Sequence, residues 1–427
     1  MSQRPRKPRP FVRALLASIV VALLLPTALL AQEPPLIPTW SWEELPCDAY
    51  PSTSYNEFAM QVDDDGRLHI VCFQEHDGSL YYVTGTPGNF TKELVDAPGQ
   101  LSPDDAAVGG WPSLVLDAEG RPHIAYLTYY SYEKGLGYFG AFRALRYGVR
   151  TATGWELEDA DVASPPDAFV TQGGTKTALA LRPDGTPLIL YHRWVAAGIG
   201  LNGSSIRQLL KFGGDWVDFD VNLGTLPINE TPALVSAPDG RIHATFTWYS
   251  RETGKREGVG HAVYDAFQWK STLIEKGANA PLETEIAAAA DGRIALAYTF
   301  DQEPLLRPLR IAVLSASGWT TSTVAMTSFV YAASLTFDGK GQPALALSDW
   351  GRESLTYVEL TSRGWVDIQV RRYYDMGLPE PVLRYHGETA YLLYRAPREG
   401  VTLLGPRTLQ PATSAARLPL IMQGKME

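Results

Sequence analysis

Residues able to do chemistry recur along this sequence in short stretches rather than in one compact motif. Charged, imidazole or aromatic side chains gather in Gln74-Glu75-His76, Thr128-Tyr129-Tyr130, His192-Arg193-Trp194, Thr247-Trp248-Tyr249, Phe300-Asp301-Gln302-Glu303 and Ser348-Asp349-Trp350-Gly351-Arg352, with Arg395 in a seventh place. Aromatic rings stack on the apolar face of a pyranose while charged side chains bond its hydroxyls, so this mixture suits sugars. The candidate ligand-binding residues are Tyr129, Tyr130, His192, Arg193, Trp194, Trp248, Tyr249, Asp349, Trp350 and Arg395. No catalytic residue is assigned. A carboxylate pair for glycoside hydrolysis would be drawn from Glu133, Asp301, Glu303 or Asp349. His192 beside Arg193 suits a different reaction, in which a histidine base works next to an arginine that neutralises a carboxylate, as in a polysaccharide lyase.

Other chemistries find no footing. The chain has no zinc-ligand spacing, phosphate loop, Gly-x-Ser-x-Gly elbow or Cys–His dyad. Asp63-Asp64-Asp65-Gly66 lacks the later acidic ligands of a calcium loop and is read as a turn. His69, His123 and His243 share one repeat position, which marks them as architectural rather than metal-binding. Neither a metal nor a cofactor is expected.

The elements that position these stretches follow from a repeat. Seven segments join two apolar strands through a tight turn whose glycine is Gly66, Gly120, Gly185, Gly240, Gly292, Gly341 or Gly387. The steps between these glycines are 54, 65, 55, 52, 49 and 46 residues, the period of four-stranded propeller blades. Asp-Gly is a strong hairpin signal because glycine accepts the positive φ such a turn needs. Most repeats continue through a third strand into a fourth that opens on an aromatic, as in Gly154-Trp155, Gly214-Asp215-Trp216, Phe267-Gln268-Trp269, Gly318-Trp319 and Gly364-Trp365. Blade one carries Gly88-Asn89-Phe90 at that place. The predicted fold is all-β, a seven-bladed β-propeller over residues 32–404. The second strand of each unit then delivers its last residues to the rim where the candidate ligand groups lie. The longest step puts its extra residues, 129–142 and 162–176, on that same rim.

The seventh unit ends without a Gly-Trp strand, and Trp40-Ser41-Trp42-Glu43-Glu44-Leu45 supplies the missing piece. An N-terminal strand completing the last blade closes the ring and removes its open edges. Cys47 follows that strand and Cys72 ends a strand of blade one, so a Cys47–Cys72 disulfide would staple the closure. The alternative is that Cys72 only fills an apolar position.

Residues 1–31 have the form of a secretory signal, with Arg4, Arg6, Lys7, Arg9 and Arg13 ahead of an apolar run that ends at Ala31. An uncleaved membrane anchor is the alternative. Cleavage after Ala31 removes five basic residues, leaving 32 basic against 47 acidic and taking the formal charge from −10 to −15. Such a surface disfavours nucleic acid and anionic membrane as partners. The expected state is a secreted monomer with no membrane span, in the oxidising surroundings where disulfides persist. Residues 405–427 turn rich in Pro, Thr, Ser and Ala and are read as a low-complexity tail.

Segments such as Gly120-Arg121-Pro122-His123-Ile124-Ala125-Tyr126, together with the closing Gly-x-Trp strands, resemble the BNR-repeat, sialidase-like bacterial propellers. The resemblance runs from about Trp40 to Leu404 and implies architecture. Asp117-Ala118-Glu119-Gly120 departs from the sialidase Asp-box, and the sialidase catalytic motifs are not found. Three roles are open: a non-catalytic propeller binding carbohydrate or a similar extracellular ligand, a carbohydrate-active enzyme (lyase or sialidase-like hydrolase), or a scaffold for an extracellular protein.

Overall fold

The computed structural model describes residues 36–411 apart from 48–57, 134–137, 164–169, 198–200, 224–231, 278–283, 300–306, 328–329, 373–379, 397–399 and single positions such as Glu75, Arg251 and Trp350. The proposed signal segment, Asp301, Glu303, Trp350 and the tail beyond 411 therefore lie outside the described residues.

The chain forms seven four-stranded antiparallel sheets. Blade one shows the pattern, with strands Phe58–Val62, Leu68–Gln74, Ser79–Thr86 and Asn89–Asp96 running from the centre outward. We call these positions A to D. The innermost A strands of the other blades are Ala107–Leu116, Val170–Leu181, Ala233–Ser236, Thr284–Ala288, Val330–Phe337 and Val382–His386. Each A strand neighbours the A strands on both sides, and that of blade seven meets that of blade one, which closes the ring. In blade two a small hairpin, Tyr132–Glu133 with Tyr138–Phe139, is inserted between strands B and C.

The strands alternate because every blade is sandwiched between two others. On strand B of blade two, Ile124 and Tyr126 pack with Val71, Leu80 and Tyr82 of blade one, whereas Ala125 and Leu127 pack with Ile189 and Tyr191 of blade three. Period-two alternation thus yields two apolar faces, and strand B reads as continuously buried. Seven such clusters fill the seven seams. The tryptophan that opens strand D reaches back across its seam. Trp155 meets Tyr82 edge-on at 5.4 Å, Trp216 meets Tyr147 at 5.3 Å, and Trp319 meets His261 at 5.0 Å.

Blade seven takes its D strand from the N-terminus. Leu36–Glu44 pairs with Gly400–Pro411, and Trp40 lies edge-on to Tyr357 of blade six at 5.6 Å. Cys47 and Cys72 form a disulfide that ties the closing strand to blade one.

The repeated histidines are buried core groups. His69 bonds Tyr82 Oη at 2.5 Å and Asp63 Oδ2 at 3.1 Å, and His123 repeats this with Tyr147 and Asp117 at the same distances. His243 instead bonds Nε2 of His261 at 2.9 Å. Asp63 and Asp117 also accept two backbone N–H groups of their own turns. That explains Asp63-Asp64-Asp65-Gly66 as a turn, and among the described residues no His, Cys, Asp and Glu group has metal-holding geometry.

One hairpin departs from good turn chemistry. Between strands C and D of blade four, Ala266 and Phe267 both take left-handed backbone, with φ of 48° and 64°, where blade three uses Gly213-Gly214. A β-carbon in that region costs about 1–2 kcal/mol per residue. Replacing Ala266-Phe267 with Asn-Gly should stabilise the protein by about 1 kcal/mol after the loss of the Phe212–Phe267 contact. Urea unfolding of the double variant would check this; an unchanged or lower midpoint refutes it.

Candidate functional site

The connections from B to C and from D to A emerge on one face, around the mouth of the central channel. The structure places the sequence-derived candidates there unevenly. Tyr129 is buried in the seam of blades two and three, with its ring against Gly110. Tyr130 stays half-buried, its hydroxyl directed at the Ala163 carbonyl oxygen at 3.4 Å. Trp248 stacks on Phe246 at 6.0 Å and, with Tyr249, packs on the seam of blades three and four. The Tyr249 hydroxyl accepts from Arg256 Nε at 2.8 Å. Asp349 is fully buried and accepts the Arg352 backbone N–H at 3.2 Å. Trp194 and Glu133 lie on described strands, but their side chains are outside the described residues.

His192 and Arg193 part company. Arg193 turns into the seam of blades two and three and bonds Asp161 at 3.0 Å. His192 is only 5% exposed, and burial pushes its pKa down to about 4. An imidazole that stays neutral when folded but titrates near 6.5 when unfolded makes unfolding more favourable in acid. Its contribution is fully present above pH 6.5 and is lost as pH falls toward 4, by up to about 3 kcal/mol. His192→Gln should therefore show a shallower fall in stability over that window, measured by urea unfolding at several pH values. An identical slope in the variant and the parent would refute it.

The arginines and acids of three seams repeat one arrangement. Tyr126 of blade two donates to Asp96 of blade one at 2.7 Å, Tyr191 donates to Asp161, and Tyr298 donates to Glu275. Each tyrosine is paired in register with an arginine on strand C: Arg146, Arg207 and Arg310. In the first seam Arg146 holds Asp96 at 2.6 Å, Asp105 at 2.9 Å and Asp159 at 2.7 Å. These groups join blades to one another.

A second charged set faces the channel, and sequence reasoning missed it. Lys176 on strand A of blade three reaches Glu285 on strand A of blade five, with Nζ and Oε1 3.8 Å apart. These two strands are not neighbours in the ring, so the pair spans the channel. Glu380, leading into strand A of blade seven, joins them from a third blade. Its Oε2 is shut away from solvent without a hydrogen-bond partner. Burial pushes its pKa up to about 7, against the pull of Lys176 and Arg395, and the Glu285 charge raises it further. Burial raises Glu285 as well, with Lys176 and Arg384 opposing. Arg384 hydrogen-bonds Gln61 of blade one at 3.3 Å and Ser334 of blade six at 3.5 Å. Of the sequence-derived candidates, Arg395 is the one whose charge bears on this cluster.

Lys176 itself sits in left-handed backbone, φ 43°, at a break in the strand register between Thr175 and Thr177. Strained non-glycine residues and bulges gather where a side chain must be re-aimed, often beside a functional site. No shared register position groups the channel-facing residues. Glu285 and Ser334 stand seven residues ahead of Gly292 and Gly341 and pair with Ala297 and Ala346. The shorter turn of blade seven puts Leu383 at that register and leaves Glu380 ahead of the strand.

No family model and no curated protein matches the chain. Among solved structures it is similar to a Hadza microbial sialidase, with 14% identity and a TM-score of 0.46 over 80% of this chain and 73% of that one. It is similar to an ulvan lyase of a polysaccharide lyase family, with 11% identity and a TM-score of 0.49 over 80% and 90% of the two chains. It is also similar to the Aleuria aurantia lectin in complex with α-methyl-L-fucoside, with 12% identity and a TM-score of 0.40 over 75% and 96%. At these identities the likeness is one of fold, and the ligand has to be argued from the residues themselves.

Proposed function

We propose that this is a secreted propeller that binds a carbohydrate, or a similarly hydroxyl-rich extracellular ligand, at the mouth of its central channel. The observation that carries the reading is the convergence of Lys176, Glu285 and Glu380 from three blades that do not adjoin, with one carboxyl oxygen of Glu380 left unmatched. A buried polar atom without a partner costs free energy, and ligand hydroxyls of either hydrogen-bonding sense would meet that need. Lys176 and Arg395 add donors, and the half-buried Tyr130, Trp248 and Tyr249 add rings on the same face. Secretion rests on residues 1–31, and their basic-then-apolar order is what supports it.

The test is a polysaccharide panel on the purified mature chain, read by tryptophan fluorescence and calorimetry. Binding weakened at least tenfold by Lys176→Ala, with the melting transition retained, supports the reading. Silence across the panel refutes it and leaves a protein partner as the role to pursue.

A further inference from the structure

We infer that the groove between the outer edges of blades six and seven is a sugar-binding site of its own, which holds one uronate ring of an acidic glycan. It is separate from the channel mouth and does not rest on the reading above. The groove encloses about 370 Å³ and is lined by Trp40 and Trp42 of the closing strand, Arg371 of blade six, and Tyr394, Thr402 and Leu404 of blade seven. Arg371 lies near the end of its D strand, Tyr394 near the end of strand B and Thr402 near the start of strand C. These ends lead into the D–A and B–C connections. The groove therefore opens on the same face as the channel, at the outer rim of the ring.

Three observations converge. First, Trp42 keeps 53% of its surface exposed. A large ring left open beside a groove is a stacking surface, and the apolar face of a pyranose suits it. Second, this seam lacks a group that its counterpart has. Trp40 meets Tyr357 edge-on as Trp155 meets Tyr82. In the seam of blades one and two, Glu93 pairs in register with Tyr82 and accepts from the Trp155 indole at 2.8 Å and from Arg150 Nε at 2.7 Å. In blade six the residue paired with Tyr357 is Ile368, and the Trp40 indole N–H has no hydrogen-bond partner. The Trp216 nitrogen is unmatched too, but there Lys211 lies over the ring at 5.7 Å, whereas Trp40 lines an open groove. Third, among the described residues lining the groove Arg371 is the one that carries charge, in a chain whose formal charge is −10. A guanidinium meets a carboxylate through two parallel hydrogen bonds, so a cation beside stacking rings selects a sugar that carries an acid.

Arg371 is positioned before a ligand arrives. Its Nη1 donates to the Tyr394 hydroxyl at 2.8 Å, and its guanidinium lies over the Tyr394 ring at 5.8 Å. A side chain held in this way loses less freedom on binding. The uronate carboxylate would meet the guanidinium while the sugar ring lies on Trp42. A neutral sugar would make no use of the Arg371 charge, and a lipid chain would bury it without compensation.

The experiment titrates the mature chain, and its Lys176→Ala variant, with tetragalacturonate and with a neutral galactose tetramer, read by calorimetry. Tetragalacturonate should still bind the Lys176→Ala protein. Adding Trp42→Ala should weaken that binding at least tenfold, and Trp42→Phe should keep most of it. Arg371→Gln should cut the preference for the acidic over the neutral tetramer at least tenfold. Trp42 is exposed, so an unchanged melting transition in Trp42→Ala separates lost binding from lost folding. Uronate binding that Lys176→Ala abolishes places the sugar at the channel alone, which overturns the groove and leaves the channel reading intact. Binding that Lys176→Ala leaves unchanged and Trp42→Ala removes does the reverse. Uronate binding indifferent to Trp42→Ala, or a neutral tetramer bound as tightly as the acidic one, overturns the groove site as well. Absence of uronate binding to either protein overturns it outright.

Discussion

Arg146→Met should destabilise the propeller by about 3–5 kcal/mol, because it strands a carboxylate that the fold has already taken out of water. The Arg146 side chain is fully buried, as are those of Asp96 and Asp105, and one guanidinium serves three acids at once. These acids belong to different parts of the ring. Asp96 ends the outer strand of blade one, Asp105 lies in the connection to blade two, and Asp159 lies on the outer strand of blade two. Methionine fills similar volume and offers no donor. Asp105 would fall back on Arg143, 3.4 Å away, while Asp96 would lose its ion pair and be left charged in a low-dielectric seam or forced to protonate. Even with Arg146 present, burial holds the Asp96 pKa above its ordinary value. Without the arginine it rises further, and an acid whose folded pKa is raised gains folded-state stability as pH falls. The deficit of Arg146→Met should therefore shrink between pH 7 and pH 5. Arg146→Lys should recover only part of it, since a single ammonium cannot reproduce the fork that meets three carboxylates. Urea unfolding of the three proteins at both pH values decides the matter. A methionine variant within 1 kcal/mol of the parent would show that Asp96 is solvated in solution.

The contrast between this seam and the channel explains how much of the molecule was legible in the sequence. The ring was legible because the Asp-Gly turns and Gly-Trp openings recur at a blade's period, and each signal acts within a few residues of itself. The closing strand was legible because blade seven lacked what Trp40-Ser41-Trp42 supplied. His69 and His123 were legible as architecture because they repeat in register, and their Asp and Tyr partners lie on the same blade. Charge partners across seams were not legible. His192-Arg193 looked like one chemical unit along the chain. Period-two geometry sends adjacent residues to opposite faces of a strand, so Arg193 went to Asp161 and His192 went into the core. Lys176, Glu285 and Glu380 were harder still. They are more than a hundred residues from end to end of the sequence and meet only because the ring closes and a bulge turns Lys176 inward. Closure is a property of all seven blades, and no local pattern reports which side chains it brings face to face.

The same closure sets the second large effect. Replacing both Cys47 and Cys72 with serine should cost about 3 kcal/mol, since the disulfide closes a loop of 25 residues and restricts the unfolded chain. The loss should fall on the closing blade. Strand Leu36–Glu44 is held by its ladder to Gly400–Pro411, by Ser41 donating to the Gly405 carbonyl oxygen at 2.5 Å, and by Trp40 against Tyr357. The Leu45 N–H donates to the Val401 carbonyl oxygen at 3.0 Å, which carries the pairing to the threshold of Cys47. Beyond that point the disulfide adds a covalent cross-link to blade one beside the main chain, so without it the strand can peel from the outer edge while blades one to six stay packed. Hydrogen exchange should then accelerate first in residues 36–44 and in their partners across 400–411, and only later in the strands of blades two to five. Uniform acceleration around the ring would mean that the propeller opens as one unit, with the disulfide acting on the unfolded chain alone. Unchanged exchange and an unchanged urea midpoint would mean that the closing strand is held by its ladder and by Trp40, with no measurable help from the covalent bond.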